Sequence, residues 1–345
     1  MKYILYIGLF FLYSCANVVA PSGGIKDTLP PKVVEMTPKN KSISFDENDI
    51  TIVFDELILI NDKQSLYLSP YSQDIVNLSI NKNKLKISFK DKLAENTTYY
   101  LNLNNLIKDV NEGNPLDQLD YLFSTGKDMD SLSLNGYVID AISSEPMNDI
   151  WVGLYSKDTD SLLYKQTPLY VVKSINTGMF TFSNLPKDSF VVYAIEDLDN
   201  NLRFTIPNEK VGFYPNKVKS QSTDINIRLF DETALVDTVK ALVYDSTIIA
   251  YGKLIIDSLP QSTALIVELL QEETIILRKQ ASFPTVIDSL PAGKYLLRII
   301  EDSNRNGIWD SGNLTKKYQP EKVILYPKDI IIRDNWDVLI EWDTN

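Results

Sequence analysis

The sequence contains no histidine, one cysteine and, after its first 15 residues, no apolar run approaching 18 residues. Without histidine there is no Ser-His-Asp or Cys-His machinery and no imidazole base titrating near neutral pH. Histidine-ligated zinc is excluded too, and one cysteine can build neither a thiolate zinc site nor an internal disulfide. Any metal must therefore be a hard cation on oxygen ligands. Basic residues are also in the minority, 34 Lys and Arg against 46 Asp and Glu, for a net charge of −12. Phosphate binding needs basic surface, so no nucleic-acid partner is expected.

What is present is ordinary for a globular protein: 44% hydrophobic and 23% charged residues. A length of 345 residues implies two or three domains at roughly 100–200 residues each.

The N-terminus reads MKYILYIGLFFLYSC. Lys2 precedes an apolar run from Tyr3 to Tyr13, too short for a bilayer, which needs about 20 residues, but suited to a signal-peptide core. Leu12-Tyr13-Ser14-Cys15 resembles the lipobox of bacterial lipoproteins, with an aliphatic residue at −3 and a small one at −1. The resemblance implies removal of residues 1–14 as a signal peptide and lipidation of Cys15, giving a protein anchored to a membrane rather than spanning it. Residues 15–28 are small, polar and contain Pro and Gly, and read as a flexible tether.

Strand signals dominate the rest. Short β-branched or aromatic segments such as Ile50–Phe54, Lys84–Phe89, Thr98–Leu103, Phe190–Ile195, Leu265–Leu269 and Tyr295–Ile300 are bounded by Asn, Asp, Gly, Pro or Ser. Several alternate apolar and polar residues, as a sheet with one wet face should. The spacing predicts an all-β chain of tandem β-sandwiches. Polar stretches at 126–131 and 231–237 divide it into units 29–127, 132–230 and 238–345.

The second and third units repeat one another. Leu185-Pro186 to Glu196-Asp197 aligns without gaps on Leu290-Pro291 to Glu301-Asp302, at an offset of 105. Glu209-Lys-Val211 and Tyr214-Pro215 match Glu321-Lys-Val323 and Tyr326-Pro327 at an offset of 112, so the third unit carries seven extra residues in the intervening loop. Duplication of one domain is expected.

In the first unit the ordered set Pro30-Pro31, Thr37-Pro38, Ile52-Val-Phe54-Asp55-Glu56, Asn96-Thr-Thr98-Tyr99, Asp109-Val-Asn111-Glu-Gly113-Asn114 and Phe123-Ser-Thr-Gly126 resembles the bacterial Ig-like domain of the S-layer (SbsA) type. Tyr99 is expected to act as a tyrosine corner, its hydroxyl bonding to nearby backbone. Gly136-Tyr-Val138-Ile-Asp140, Val152-Gly-Leu154 and Gly178-Met-Phe180-Thr-Phe182-Ser-Asn-Leu185-Pro186 look like a prealbumin-like or carboxypeptidase-regulatory-like sandwich. The third unit keeps Gly252-Lys-Leu254 and Ile287-Asp-Ser-Leu290-Pro291-Ala-Gly293-Lys-Tyr295 of the same pattern. The whole order is similar to Ig-like-domain lipoproteins of Bacteroidetes-type bacteria, a resemblance that implies an outer-membrane location and a fold but brings no catalytic residues. Ala16-Asn17 offers no acidic run, which favours the periplasmic face.

The sharpest chemical motif is Asp302-Ser-Asn304-Arg-Asn306-Gly307-Ile308-Trp-Asp310. Oxygen side chains at loop positions 1, 3, 5 and 9, Gly at 6 and a backbone carbonyl at Ile308 match the front half of a calcium loop. Position 12 is Asn313 rather than a bidentate Glu, so weak Ca²⁺ binding is one reading; a metal-free Asx- and Gly-rich turn is the other. The duplicate loop, Glu196 to Leu202, lacks the Gly and has Thr205 at position 9, and is expected to be held by hydrogen bonds. Asp55-Glu56 and Glu196-Asp197 invite a two-carboxylate hydrolase, but adjacent strand residues point to opposite faces. Trp151, Trp309, Trp336 and Trp342 are candidates for a glycan-stacking platform. A recurrent Asp-(Ser/Thr)-Leu/Val/Thr tripeptide resembles the O-glycosylation sequon of Bacteroidetes envelope proteins, placing candidate sites at Thr28, Ser131, Ser161, Thr238, Ser246, Ser258 and Ser289; Asp-Ser before a strand is also plain turn chemistry.

The sequence therefore favours a non-enzymatic, lipid-anchored envelope protein serving as spacer or protein-binding module. A glycan-binding accessory lipoprotein is the alternative, and an unrecognised carboxylate hydrolase a distant third.

Overall fold

The computed structural model describes residues 26–71, 76–159, 161–205, 208–233, 250–258, 264–272, 274–282 and 284–342. The signal segment, Cys15, most of the tether, and the candidate hydroxyls Thr238 and Ser246 lie outside the described residues.

In the first unit nine strands form: β1 (Val33–Thr37), β2 (Asp49–Phe54), β3 (Ile58–Ile60), β4 (Tyr67–Ser69), β5 (Val76–Asn81), β6 (Lys84–Phe89), β7 (Thr98–Asn102), β8 (Ile107–Asp109) and β9 (Asp120–Ser124). The sheet β1-β2-β6-β5 faces the sheet β4-β7-β9, and a β3-β8 ribbon closes one end. Alternation does the sorting. Ile50, Ile52 and Phe54 of β2 turn inward, as do Leu85 and Ile87 of β6, and all are buried while their neighbours meet solvent. Tyr99 stacks on Phe123, and its hydroxyl accepts the Ala94 N–H at 2.8 Å, the expected tyrosine corner.

The second unit contains β10 (Leu132–Asp140), β11 (Trp151–Tyr155), α1 (Leu162–Lys165), β12 (Tyr170–Lys173), β13 (Met179–Leu185), β14 (Ser189–Ile195), β15 (Val211–Phe213), β16 (Val218–Lys219) and β17 (Ile225–Leu229). The third contains β18 (Gly252–Ser258), β19 (Leu265–Gln271), β20 (Thr274–Gln280), β21 (Thr285–Leu290), β22 (Gly293–Glu301), β23 (Val323–Leu325), β24 (Ile330–Ile332) and β25 (Asp337–Glu341). The two share one topology. Sheet β13-β10-β17 corresponds to β21-β18-β25, each with one antiparallel and one parallel pairing. Sheet β12-β11-β14-β15 corresponds to β20-β19-β22-β23. The repeat read from sequence is thus a repeat of strand order, and the chain is all-β with a separate hydrophobic core in each unit.

Several strands depart from the pattern of one wet face, two of them over six consecutive residues. β14 and β19 are buried on both sides. Their sequences, Phe190 to Ile195 and Leu265 to Leu270, are correspondingly near-continuous apolar runs, the signature of strands covered on both sides.

The cover over the second unit's outer face comes from the third unit. Tyr155, Val191, Tyr193, Val211, Phe213 and Phe230 pack with Leu314 and Trp309, residues of the loop between β22 and β23. The Ser311 hydroxyl donates to Asp231 O at 2.7 Å, the Leu314 N–H to Glu232 Oε1 at 2.6 Å and Gln319 Nε2 to Phe213 O at 2.8 Å. Lys317 pairs with Asp158 at 3.0 Å and lies over the Tyr193 ring. The loop that carries the seven extra residues is therefore the clamp joining the second and third sandwiches. The first and second meet more sparsely: Tyr67 and Trp151 contact edge to face at 5.5 Å, and the Asp130 N–H donates to Thr98 Oγ1.

Candidate functional site

The loop expected to hold calcium is closed by its own hydrogen bonds. Asp302 is buried; its Oδ1 accepts the Asn306 N–H at 3.1 Å and its Oδ2 the Gly307 N–H at 3.0 Å. Asn304 Oδ1 accepts the Asn306 N–H, and Asn306 Oδ1 accepts the Ile308 N–H, both at 2.9 Å. The two side-chain amides then donate to Asp310 Oδ2 at 2.6 and 2.7 Å. Gly307 has φ +81, and a Cβ added there would meet nothing within 4 Å, so conformation rather than space selects glycine. Each Asp and Asn side chain of the motif thus accepts from a turn N–H or an amide, the arrangement of an Asx-rich turn.

A residue that local spacing did not assign to the loop completes it. Glu321, buried at the entry to β23, accepts the Ser303 N–H through Oε1 at 2.6 Å and the Asp310 N–H through Oε2 at 3.2 Å, bracing both ends of the loop. Burial pushes its carboxyl above the usual range; the two N–H donors oppose this, and nearby Asp310 and Asp302 add to it. Trp309 Nε1 donates to the backbone of the same residue at 3.0 Å. The signal was the recurrent Glu-Lys-Val at 209–211 and 321–323, visible as a repeat but silent about its role.

The second unit reproduces the main features of this network. Asp197 accepts from the Asn201 and Leu202 N–H groups, Asn201 Oδ1 from Arg203 N–H, and buried Glu209 from the Leu198 and Thr205 N–H groups at 3.1 and 3.0 Å. Leu202 takes the left-handed conformation that Gly307 takes in the third unit. Here acids converge more closely: Asp197, Asp199 and Glu209 bring carboxylate oxygens within 4.8 Å of one another, a grouping found among the described residues at this loop and not at 302–310. Burial raises the Asp197 carboxyl, with Asp199 and Glu209 contributing against two backbone donors. The loop expected to be the weaker of the pair thus holds the denser cluster of acids, because Asp199 replaces Asn304.

The remaining candidates are scattered. Trp151 is at the first junction, Trp309 at the second, Trp342 is buried against Tyr326 in the third core, and Trp336 is 62% exposed on the third unit. They share no platform. Thr28, Ser131 and Ser289 are exposed; Ser258 is exposed, with its oxygen accepting the Trp342 N–H; Ser161 is half-buried beside α1. Asp55 accepts the Lys32 N–H, a structural role for one member of the first carboxylate pair. A groove of about 1060 Å³ runs between the second and third units, with Arg228, Tyr214 and Asn226 on one side and Tyr318, Glu301 and Lys322 on the other.

Against known proteins, residues 27–125 match the family model of the bacterial Ig-like domain. No curated protein matches the sequence. Among solved structures, the chain is similar to an L,D-transpeptidase from Mycobacterium smegmatis at 11% identity, covering 58% of this chain and 90% of that one with a TM-score of 0.20. It is similar to the N-terminal part of the bacterial S-layer protein SbsC at 13% identity, 48% and 40% coverage and a TM-score of 0.20. It is also similar to GBS52, the minor pilin of Streptococcus agalactiae, at 15% identity, 61% and 94% coverage and a TM-score of 0.19. The first sandwich is thus a bacterial Ig-like domain by sequence, set before two copies of a second kind of β-sandwich.

Proposed function

We propose that this protein is a lipid-anchored structural spacer and protein-binding module of a bacterial cell envelope, on the periplasmic face of an outer membrane. The observation that carries the spacer reading is the clamp between the second and third sandwiches. A loop enlarged by seven residues is spent on fixing one domain to the next, and the groove it lines lies along that same junction. The anchoring rests on Leu12-Tyr13-Ser14-Cys15 alone. The paired acidic loops support rigidity rather than chemistry, since their side chains serve their own backbones.

The test is fractionation of cells producing the wild type and Cys15→Ala. The wild type should sediment with membranes and yield a lipid-modified N-terminal peptide by mass spectrometry, while Cys15→Ala should be released. An unmodified Cys15 in a membrane-free protein overturns the anchor. Protease treatment of intact cells reads the face: resistance agrees with the periplasmic assignment, and digestion transfers the module to the surface.

A further inference from the structure

The duplication supplies an internal control for an unusual sheet edge. β13 is an edge strand of the second unit, paired to β10 on one side. Gly178 O accepts the Val138 N–H, and Phe180 and Phe182 lie opposite Gly136 and Leu134. In an antiparallel strand, main-chain groups alternate sides, so those of Met179, Thr181 and Ser183 face away from β10. The Met179 carbonyl accepts the Ile175 N–H. Among the described residues, the outward main-chain groups of Thr181 and Ser183 have no partner. The strand sequence, Met-Phe-Thr-Phe-Ser-Asn-Leu, contains no charge and no proline, the usual devices that blunt an edge.

Its counterpart in the third unit is blunted. At the offset of 105, Thr181 and Ser183 correspond to Val286 and Asp288 of β21. Lys279 of β20 donates its ammonium to Val286 O at 3.0 Å, capping the outward carbonyl, and Asp288 places a charge on the edge, 3.4 Å from Lys253. By strand register the residue in the second unit equivalent to Lys279 is Val172, since Lys173 pairs with Trp151 as Gln280 pairs with Ile266. Both protective groups are therefore missing from the second copy of a shared design.

The unprotected edge opens on a cleft of about 270 Å³ at the junction with the first unit. Tyr67, Ser69 and Tyr100 form the far wall; Ile175 and Met179, both exposed, flank the edge. Lys173 is engaged with Asp149 and the Trp151 ring, leaving no unpaired charge of its own for a ligand.

We propose that β13 accepts an extended, uncharged strand from a partner protein, hydrogen-bonded to Thr181 and Ser183 with alternate side chains seated between Tyr67, Tyr100 and Met179. Strand addition to an open edge takes its affinity from main-chain bonds and its selectivity from alternate side-chain pockets. A second copy of this chain fits less well, since two chains of net charge −12 repel. This deepens the binding-module half of the proposed function and is independent of the lipid, so failure of anchoring in Cys15→Ala and failure of peptide binding are separate readouts.

The experiment uses the full chain in detergent and a fluorescein-labelled peptide of alternating threonine and valine with a lysine at each end. Fluorescence anisotropy should report saturable binding. Ser183→Asp, which restores the third unit's charge, and Thr181→Pro, which removes an outward N–H at a position where an edge tolerates proline, should each weaken it at least tenfold. Amide exchange at Thr181 and Ser183 should slow on binding. Peptide N-methylated at alternate residues should bind at least tenfold more weakly. Absence of binding, or binding that both variants leave unchanged, overturns the proposal. Self-association seen by sedimentation and abolished by Ser183→Asp would overturn it in favour of a second copy.

Discussion

Gly312 of the third sandwich lies against the ring of Phe230 in the second, so closely that a Cβ on the glycine would stand 2.5 Å from two ring carbons. The contact sits inside the cluster that joins the two domains. Gly312→Ala should therefore strain the clamp, at the about 1–3 kcal/mol typical of overpacking. The measurement is urea unfolding followed by tryptophan fluorescence, since Trp309 lies at the junction. A less stable, less cooperative transition is expected. A transition identical to wild type would mean the two domains do not depend on this contact.

The fold was legible wherever the chain's information is local. Alternating residues such as Ile50, Ile52 and Phe54 declare an inward face by themselves, and the Leu-Pro to Glu-Asp repeat fixes which strand precedes each acidic loop. The role of Glu321 was not legible, because it acts on Ser303 and Asp310 across an intervening loop whose path no local pattern specifies. Nor was the use of the seven extra residues. Their purpose lies in Phe230 and Tyr193, in another domain, and only the continuous apolar run of β14 hinted that its outer face would be covered.

The calcium motif separates composition from geometry. With Asp302, Asn304, Asn306 and Asp310 all engaged by N–H donors, the loop should stand without metal. Thermal melting with EDTA and with millimolar Ca²⁺ should give the same Tm. A site filled to 100 times its Kd would add about 2.7 kcal/mol, an easily seen shift. A rise in Tm with Ca²⁺ that Asp302→Ala removes would return the calcium reading to residues 302–310. A rise that Asp199→Ala removes would place the ion in the second unit instead.

Asp140 sets a pH dependence. Burial opposes its charge, but Lys210 at 2.8 Å and the Ser143 and Ile142 N–H groups outweigh this and hold its carboxyl below the usual range. A carboxyl depressed in the folded state contributes stability above its unfolded pKa, near 3.9, and loses it as pH falls through the folded value. Asp140→Asn should thus be less stable than wild type at neutral pH, with the two converging as pH falls through the folded value. Urea midpoints measured across that range decide it; a constant gap would show that the charge is not what Asp140 contributes.

Glu268 offers the sharpest test of the third unit. It is fully buried on β19, and the residues directly opposite on both neighbouring strands are arginines, Arg278 on β20 and Arg298 on β22. Their Nε atoms each lie 2.5 Å from one of its carboxylate oxygens. Removing the shared anion leaves two guanidinium groups in a largely dry site, one of them on a residue only 7% exposed. Removing one partner of a buried pair in this way costs about 3–5 kcal/mol. Glu268→Ala should lose that much in urea unfolding, and adding Arg298→Leu should recover part of it by removing one of the two buried positive charges that faced Glu268. If the double variant is as unstable as the sum of the single ones, the three side chains act through packing rather than charge.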